Sequence, residues 1–376
     1  MLLFYICRNY FQVKELNLVR AVFLFFSILI PVITFGQTDA PKYSNEFLSI
    51  GVDARAMGLS KSVVSSVNDV SSGYWNPAGL LGLKTDFEGS IMHSSYFAGI
   101  ANFDYLGFAA KVDSSSYLGI SLIRFAIDDI PDTRFLYDAN GAINYDNIQF
   151  FSAADYAFLI SYARKIPKLK NLQLGANFKI VHRSVGNFAN AWGFGLDAGA
   201  IFNLKQWKFG AMARDITGTF NAWSFNSSEL ATVFLQTGNE IPSNRIEITL
   251  PRLIMGVSRD FRIKERFSVL VEINMEFTFD GKRNTLAKSD FTSFSPRAGV
   301  ELGYIDKIFI RFGAGDIQQI KDFDGEMNTT FQPNFGIGIN IKGLKIDYAL
   351  TDIGNQAEAL YSHVFSLKYG WTPKND

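Results

Sequence analysis

The chain has 376 residues, and its 36 Lys and Arg residues balance 36 Asp and Glu residues, which argues against a nucleic-acid or acidic-ligand binder. It is 48% hydrophobic, yet beyond the N-terminus no apolar run approaches about 18 residues, so no transmembrane helix is predicted. Its single cysteine, Cys7, has no partner for a disulfide.

The N-terminus has the pattern of a secretory signal peptide. Three basic residues precede the apolar segment 21–35. We therefore predict that residues 1–36 are removed by cleavage after Gly36. A membrane anchor is the alternative, although the apolar segment is short for that role.

Residues 37–85 lack the alternation of a strand and are dense in small residues. Phe47, Trp75 and Leu80 within this segment argue against full exposure to water. We predict that the segment forms a hatch, a plug inside the lumen of the barrel that follows. A disordered periplasmic linker is the alternative.

From residue 86 onward, apolar and polar side chains alternate. In 267–279 every odd position is apolar and most even positions are polar. A strand between lipid and a wet lumen needs this pattern. We predict an all-β fold, a transmembrane antiparallel β-barrel of about 14 strands over residues 86–371, followed by a C-terminal tail, 372–376. A soluble β-sandwich or lipocalin-like barrel is the alternative.

The connections between the predicted strands alternate in length. Four long gaps, at 128–153, 217–249, 280–293 and 318–331, are separated by tight ones. Barrels of this class have short periplasmic turns and longer outer loops, so the long gaps predict the outer side. The predicted strands are 86–97, 101–112, 116–127, 154–166, 171–185, 191–204, 206–216, 250–261, 266–279, 294–305, 307–317, 332–343, 344–354 and 360–371.

Charged residues also fall at lumen-facing positions of the strands. Buried charges must be paired, so we expect ion pairs with the hatch, for example through Arg55. A conductive polar channel is the alternative. The residues concerned are Lys179, Arg183, Asp197, Glu272, Glu276, Glu301 and Arg311.

Loop 217–249 is strongly apolar for an outer loop, because it contains Trp223, Phe225, Leu230 and Phe234. Such a patch needs cover. It could fold over the barrel mouth, hold a lipid-like ligand or meet a protein partner. Packing of the loop on itself is the alternative.

Sites of chemistry are not evident in the sequence. His93, His182 and His363 fall in predicted strands, and none has a second histidine at ligand spacing. Neither a G-x-S-x-G elbow nor a phosphate-binding loop occurs. Acidic loop residues such as Asp128 lack the twelve-residue calcium spacing, which favours solvated carboxylates. We predict a protein that is not an enzyme and has no metal or cofactor.

Two segments resemble known families. Asn76, Pro77, Ala78, Gly79 and Leu80 resemble the hatch motif of the FadL-like long-chain fatty-acid transporters. The longer run 47–80 is similar to the PorV/PorQ family of Bacteroidetes outer-membrane proteins. A second run agrees with that family, and it comprises Ile130, Pro131, Asp132, Thr133, Arg134, Asp138, Gly141 and 151–156.

The resemblance implies a FadL-like barrel of the bacterial outer membrane in contact with its lipid. We expect a PorV-like accessory of the type IX secretion system, which engages a large translocon barrel or secreted proteins with a C-terminal signal domain. The alternative is a FadL-like channel for a hydrophobic small molecule. An empty apolar pocket under the loops would favour the channel, and a lumen sealed by charged pairs the accessory.

We take two outer-loop groups as candidate contacts for a partner or ligand. They are Ile130, Pro131, Asp132, Thr133 and Arg134, and Trp223, Phe225, Leu230 and Phe234.

Overall fold

A computed structural model describes residues 44–138, 140–169, 171–238, 240, 243–321, 324–351 and 361–373. The predicted signal peptide 1–36 lies outside these residues, as does the end of the predicted tail. Among the described residues, no helix is long and apolar enough to cross a membrane.

The described chain forms a closed antiparallel barrel. Each strand pairs with its neighbours, and β1 pairs with both β2 and β17, which closes the wall. The strands are β1 (Phe87–Tyr96), β2 (Ala101–Asp113), β3 (Ser116–Asp132), β4 (Gln149–Lys165), β5 (Leu172–Val185), β6 (Ala189–Leu204), β7 (Trp207–Arg214), β8 (Thr219–Phe225), β9 (Arg245–Thr249), β10 (Arg252–Ile263), β11 (Phe267–Thr278), β12 (Ala287–Lys288), β13 (Ser293–Tyr304), β14 (Ile308–Lys321), β15 (Met327–Ile341), β16 (Leu344–Thr351) and β17 (Ser362–Trp371).

These strands fill 14 positions around the wall, which we call staves. β7 and β8 both pair with β6 and are consecutive parts of one stave. β9 and β10 pair with β8 and β7 and form the next stave, while β12 is a two-residue addition beside β13. The predicted fold class is therefore confirmed.

Two neighbouring staves are interrupted side by side. Between β7 and β8 the chain turns through Gly218, whose φ is +68°, a conformation that glycine adopts at little cost. Between β9 and β10 lies Pro251, which has no N–H to donate to a ladder. The wall stays joined at the first break, because Ile216 N donates to Leu196 O at 2.9 Å.

The predicted extent of loop 217–249 is wrong, because β8 and β9 continue the wall through much of it. An outer helix, Ser227–Thr237, joins these two strands. The prediction fails because strands that extend beyond the lipid no longer need one uniformly apolar face. The same extension carries β3 and β4 into the predicted loop 128–153, since β3 ends at Asp132 and β4 begins at Gln149.

The outer face of the barrel carries an apolar belt bounded by aromatic side chains near the short turns. Ile91, Leu106, Ile273 and many similar side chains point outward and are about half exposed. Near the turns, Phe87 stacks on Trp371 with ring centroids 5.5 Å apart. This is the surface of a barrel that spans a membrane.

The hatch occupies the lumen. It contains the short helices Ala54–Gly58 and Ser72–Trp75 and two 3-10 helices, Glu46–Ser49 and Pro77–Gly82. Most of its apolar side chains are almost fully buried against the wall and one another. Strand β1 begins five residues after the last hatch helix ends.

Candidate functional site

The predicted hatch motif, Asn76 to Leu80, lies inside the lumen against β5 and β6. Asn76 is fully buried, and its Nδ2 donates to the carbonyl of Val64 at 2.8 Å and to that of Ala200 in β6 at 3.2 Å. Its Oδ1 accepts from Ala78 N at 3.2 Å, which caps the 3-10 helix begun by Pro77. One amide thus ties the hatch to itself and to the wall.

This motif packs closely against glycines of the wall, and we call this packing site its seat. A methyl group on Gly175 of β5 would lie 2.5 Å from the backbone N of Ala78, and one on Gly199 of β6 would meet Asn76. A methyl group added to Gly210 or Gly299 would likewise clash with the backbone of the hatch. Glycine is needed at these positions because the hatch backbone approaches the wall more closely than a Cβ allows.

A chain of ion pairs fastens the hatch to β13–β17. Lys368 of β17 is fully buried and binds Asp53 and Asp69 of the hatch at 2.8 Å each. Lys368 also lies 3.8 Å from Asp347, which binds Arg311 at 2.7 Å. This anchor is not among the residues predicted from the sequence, although Lys368 falls at a lumen-facing position of β17.

The same chain of ion pairs returns to the hatch through the predicted residue Arg55. Glu301 of β13 binds Arg311 at 2.6 Å and Arg55 at 2.9 Å. The expected ion pair between the hatch and a lumen carboxylate is therefore present.

A second chain of ion pairs runs along the inside of the wall from β5 to β14. Lys179 pairs with Asp197 and Asp215, and Asp215 lies 3.8 Å from Arg252. The chain then continues to the hatch residue Lys61. Its further links are Arg252–Glu276 at 3.7 Å, Arg297–Glu276 at 2.8 Å, Arg297–Asp316 at 3.4 Å and Lys61–Asp316 at 3.7 Å.

Glu272 departs from the prediction that each lumen charge is ion-paired. Its side chain is buried, but it has no ion-pair partner within the described part of the chain. Its Oε1 instead accepts from the backbone N of Ser65 in the hatch at 2.8 Å. Hydrogen bonding to a backbone N–H partly replaces the missing counter-charge.

The opposite side of the lumen is apolar. Tyr96 of β1 and Phe103 of β2 are buried with ring centroids 6.4 Å apart, and Phe125 of β3 lies 6.4 Å from Phe103. Ile127 of β3 and Ile50 of the hatch pack against this cluster and are partly exposed. We call these five side chains the apolar flank.

In the described part of the chain, two of the cavities beside the hatch are lined largely by charged and polar groups. The outer cavity, of about 370 Å³, is lined by residues including Lys61, Arg252, Glu276 and Arg297. The second, of about 330 Å³, lies near the short turns and includes Lys345 in its lining. Neither of these two is the empty apolar pocket under the loops that would favour the channel hypothesis.

The two groups of predicted outer-loop residues meet at the outer rim. Ile130, Pro131 and Asp132 lie in β3, and Trp223 and Phe225 lie in β8, whereas Leu230 and Phe234 lie in the outer helix. Thr133 and Arg134 follow β3 directly.

Arg134 joins these groups. It binds Asp132 at 2.8 Å and donates to Glu229 O in the outer helix at 2.8 Å. Its guanidinium lies over the ring of Phe188, 4.4 Å from the ring centre. Trp223 is held separately, because its Nε1 donates to Glu247 at 2.7 Å. The rim is therefore a connected surface and not a set of separate loops.

Comparison with known proteins gives no match to any protein-family model or curated protein sequence. Solved structures do resemble the chain. The CymD monoaromatic hydrocarbon channel is 12% identical with a TM-score of 0.54, and the match covers 87% of this chain and 99% of CymD. The toluene transporter TodX of P. putida is 12% identical with a TM-score of 0.53 over 86% of this chain and 99% of its own.

A FadL homologue from Pseudomonas aeruginosa is also similar, with 12% identity and a TM-score of 0.50 over 85% of this chain and 98% of its own. No sequence match supports the PorV/PorQ family in particular. At this level of identity the likeness concerns the fold, and the chain therefore has the fold of the FadL-like barrels.

Proposed function

We propose that the protein is a channel of the bacterial outer membrane that admits a hydrophobic small molecule when its hatch moves. The observation that carries the proposal is a FadL-like barrel whose lumen has an apolar flank beside the hatch. Two barrels of similar fold are described as a monoaromatic hydrocarbon channel and a toluene transporter. The apolar outer belt supports a location within the membrane.

The two sides of the lumen differ in what a hatch movement requires. On the polar side, parting the hatch from the wall breaks ion pairs such as Lys368–Asp53 and Arg55–Glu301. Removing one partner of a buried pair is costly, so this side is the fixed one. On the apolar flank Ile50 meets the wall through apolar packing, which a hydrophobic solute can replace. The nearby links from the hatch to β1 are hydrogen bonds and not ion pairs, such as that from Val70 N to Glu88 Oε1 at 2.8 Å. We therefore place the path along β1–β3.

Uptake assays test the proposal. A deletion strain is complemented with the unaltered gene, with Phe125→Asp in the apolar flank, or with Thr278→Val in the outer polar cavity as the matched control. Uptake of labelled toluene and of a long-chain fatty acid is measured. We expect the deletion and Phe125→Asp to lower uptake, because a charge opposes entry of an apolar solute, while Thr278→Val retains it. Unchanged uptake of both in the deletion strain would contradict the proposal.

The second candidate is the accessory role in type IX secretion. It is supported by the ion-paired lumen, which is the arrangement expected of a closed barrel, and by the connected outer rim. In this case the rim around Arg134 and the outer helix would contact a translocon barrel or secreted cargo.

Secretion assays separate this candidate from the channel. Deletion should leave proteins with a C-terminal signal domain trapped inside the cell, and Arg134→Ala should weaken the rim contact while the barrel stays folded. Normal secretion in a deletion strain that lacks any paralogue would exclude the accessory role.

A further inference from the structure

An ion-paired cluster lies on the outward face of the wall, where lipid is expected. His93 of β1 lies 2.7 Å from Asp104 of β2, and Arg124 of β3 binds Asp104 at 3.2 Å. Asp128 adds a second carboxylate 3.7 Å from Arg124. These side chains are 33% to 58% exposed, so they form part of the outer surface and not of the lumen.

The cluster directly adjoins an apolar part of the wall. The cross-strand row immediately toward the short turns consists of Ile91, Leu106 and Leu122, which face each other across β1–β3 and are 56%, 53% and 40% exposed. On the other side of the cluster, the next outward-facing row pairs Ser95 with Asn102, and the tip beyond it exposes Phe97 and Ile100 by 56% and 63%. The charged groups thus adjoin an apolar row on the side of the short turns, and a polar row separates them from the apolar tip.

The height of β1 places this cluster within the membrane. β1 has 10 residues, and at about 3.3 Å per residue and a tilt of about 40° it rises about 25 Å, the height of the apolar belt in bacterial barrels. His93 lies three residues from the outer end of β1, and Asp104 three from that of β2, which is about 8 Å inside the belt by the same geometry.

Charged side chains on a lipid-facing wall are destabilising at such a depth. An anionic lipid headgroup is a poor partner for this cluster, because its two carboxylates outnumber the single guanidinium of Arg124. The surface instead carries both signs of charge on adjacent strands. A complementary partner must present a positive charge opposite Asp104 and a negative charge opposite Arg124.

We propose that β1–β3 form the interface of a homodimer in the membrane, with a second copy of this chain as the occupant. A two-fold axis between β2 and β3 would set Asp104 of each copy opposite Arg124 of the other, so that the pair forms twice. A two-fold interface is self-complementary, and this patch meets that requirement in charge. The apolar row around Leu106 would pack against its own counterpart. The inference rests on the proposed membrane location but not on transport.

Cross-linking in isolated outer membranes tests the dimer. In a Cys7→Ser background, Leu106→Cys is compared with Ile273→Cys on β11, which is equally exposed at 51% against 53% but lies on a distant stave. A short bifunctional maleimide should shift Leu106→Cys to twice the monomer mass and leave Ile273→Cys monomeric. No shift for either variant, or equal shifts for both, would overturn the dimer. Absence of the protein from the outer membrane would instead refute the proposed location.

Charge reversal tests the orientation independently. Asp104→Arg and Arg124→Asp are each placed in the Leu106→Cys chain, expressed alone and then together. Each alone breaks its internal pair and opposes like charges across the axis, so cross-linking should be lost. Together the two chains complement each other across the axis although neither regains its internal pair, so cross-linking should return as mixed dimers.

Two outcomes of this experiment would refute the two-fold pairing. One is cross-linking that persists in both single variants, and the other is failure of co-expression to restore it when both barrels are folded by heat-dependent gel mobility. If a reversed chain does not fold, the Leu106→Cys comparison decides on its own.

Discussion

Replacement of Gly175 by alanine should displace the hatch from its seat. The added methyl group would lie 2.5 Å from the backbone N of Ala78 and 2.5 Å from the carbonyl carbon of Pro77. Nonbonded carbon contacts are favourable at about 3.5–4.0 Å, so the overlap exceeds about 1 Å. The clashing atoms are backbone, which cannot rotate away as a side chain could. Overpacking of this kind costs about 1–3 kcal/mol, and we expect the free energy of unfolding to fall by at least this amount.

Urea unfolding of the refolded barrel in detergent micelles, followed by tryptophan fluorescence, measures this loss. Gly89→Ala in β1 is the matched control, because the atom nearest to its added methyl group is 4.0 Å away. The control should change the free energy of unfolding by less than about 0.5 kcal/mol. Limited proteolysis should also cut the hatch faster in Gly175→Ala. Equal stability of the two variants would refute the close seating of the motif.

Three further predictions concern the charges and hydrogen bonds of the hatch and outer loops. Lys368→Met should lower the free energy of unfolding by about 3–5 kcal/mol, because it leaves two buried carboxylates unpaired. It should also raise single-channel conductance. The control Lys342→Met, in an exposed turn, should change neither quantity. Asn76→Asp keeps the shape of the side chain but replaces its N–H donor by an oxygen that faces two carbonyls. The free energy of unfolding in urea should therefore fall by at least about 1–3 kcal/mol. An unchanged unfolding midpoint would contradict the assigned hydrogen bonds. In the loop after β11, burial opposes ionisation of Asp280, but the Arg283 guanidinium holds the pKa of Asp280 below its ordinary value. The pair should therefore stabilise the fold above about pH 3.9 and cease to do so as the pH falls through the lower pKa of the folded state. Asp280→Asn should remove this part of the pH dependence of the unfolding midpoint.

The barrel and its hatch could be predicted from local patterns. A strand between lipid and lumen must alternate, and the run Phe267–Phe279 does so whatever its neighbours are. The segment 37–85 lacks this period yet carries Trp75 and Leu80, which need burial. The motif Asn76–Leu80 indicated a hatch by resemblance, and the structure adds the reason for its asparagine, which bonds to both hatch and wall.

Loop extents and pairing partners could not be predicted in the same way. β8 and β9 rise beyond the apolar belt, where lipid no longer imposes a period, so the sequence resembles a loop although the backbone is paired. Glu272 and Lys368 both occupy lumen-facing positions, but their partners differ. Glu272 accepts a hydrogen bond from a backbone N–H, whereas Lys368 forms ion pairs with two carboxylates. Their partners are more than 200 residues away, and nothing in the local pattern encodes that distance.

The sequence by itself determined a membrane-type barrel, because one-dimensional alternation reports which face of each strand meets lipid. The tertiary structure decided which charges pair, where the wall is interrupted and which side of the lumen is apolar. Those features depend on the register of β1–β17 and on how closely the hatch approaches glycines such as Gly175. Both are set by contacts between distant segments, since ion pairs and close packing act over a few ångströms in space and not along the chain.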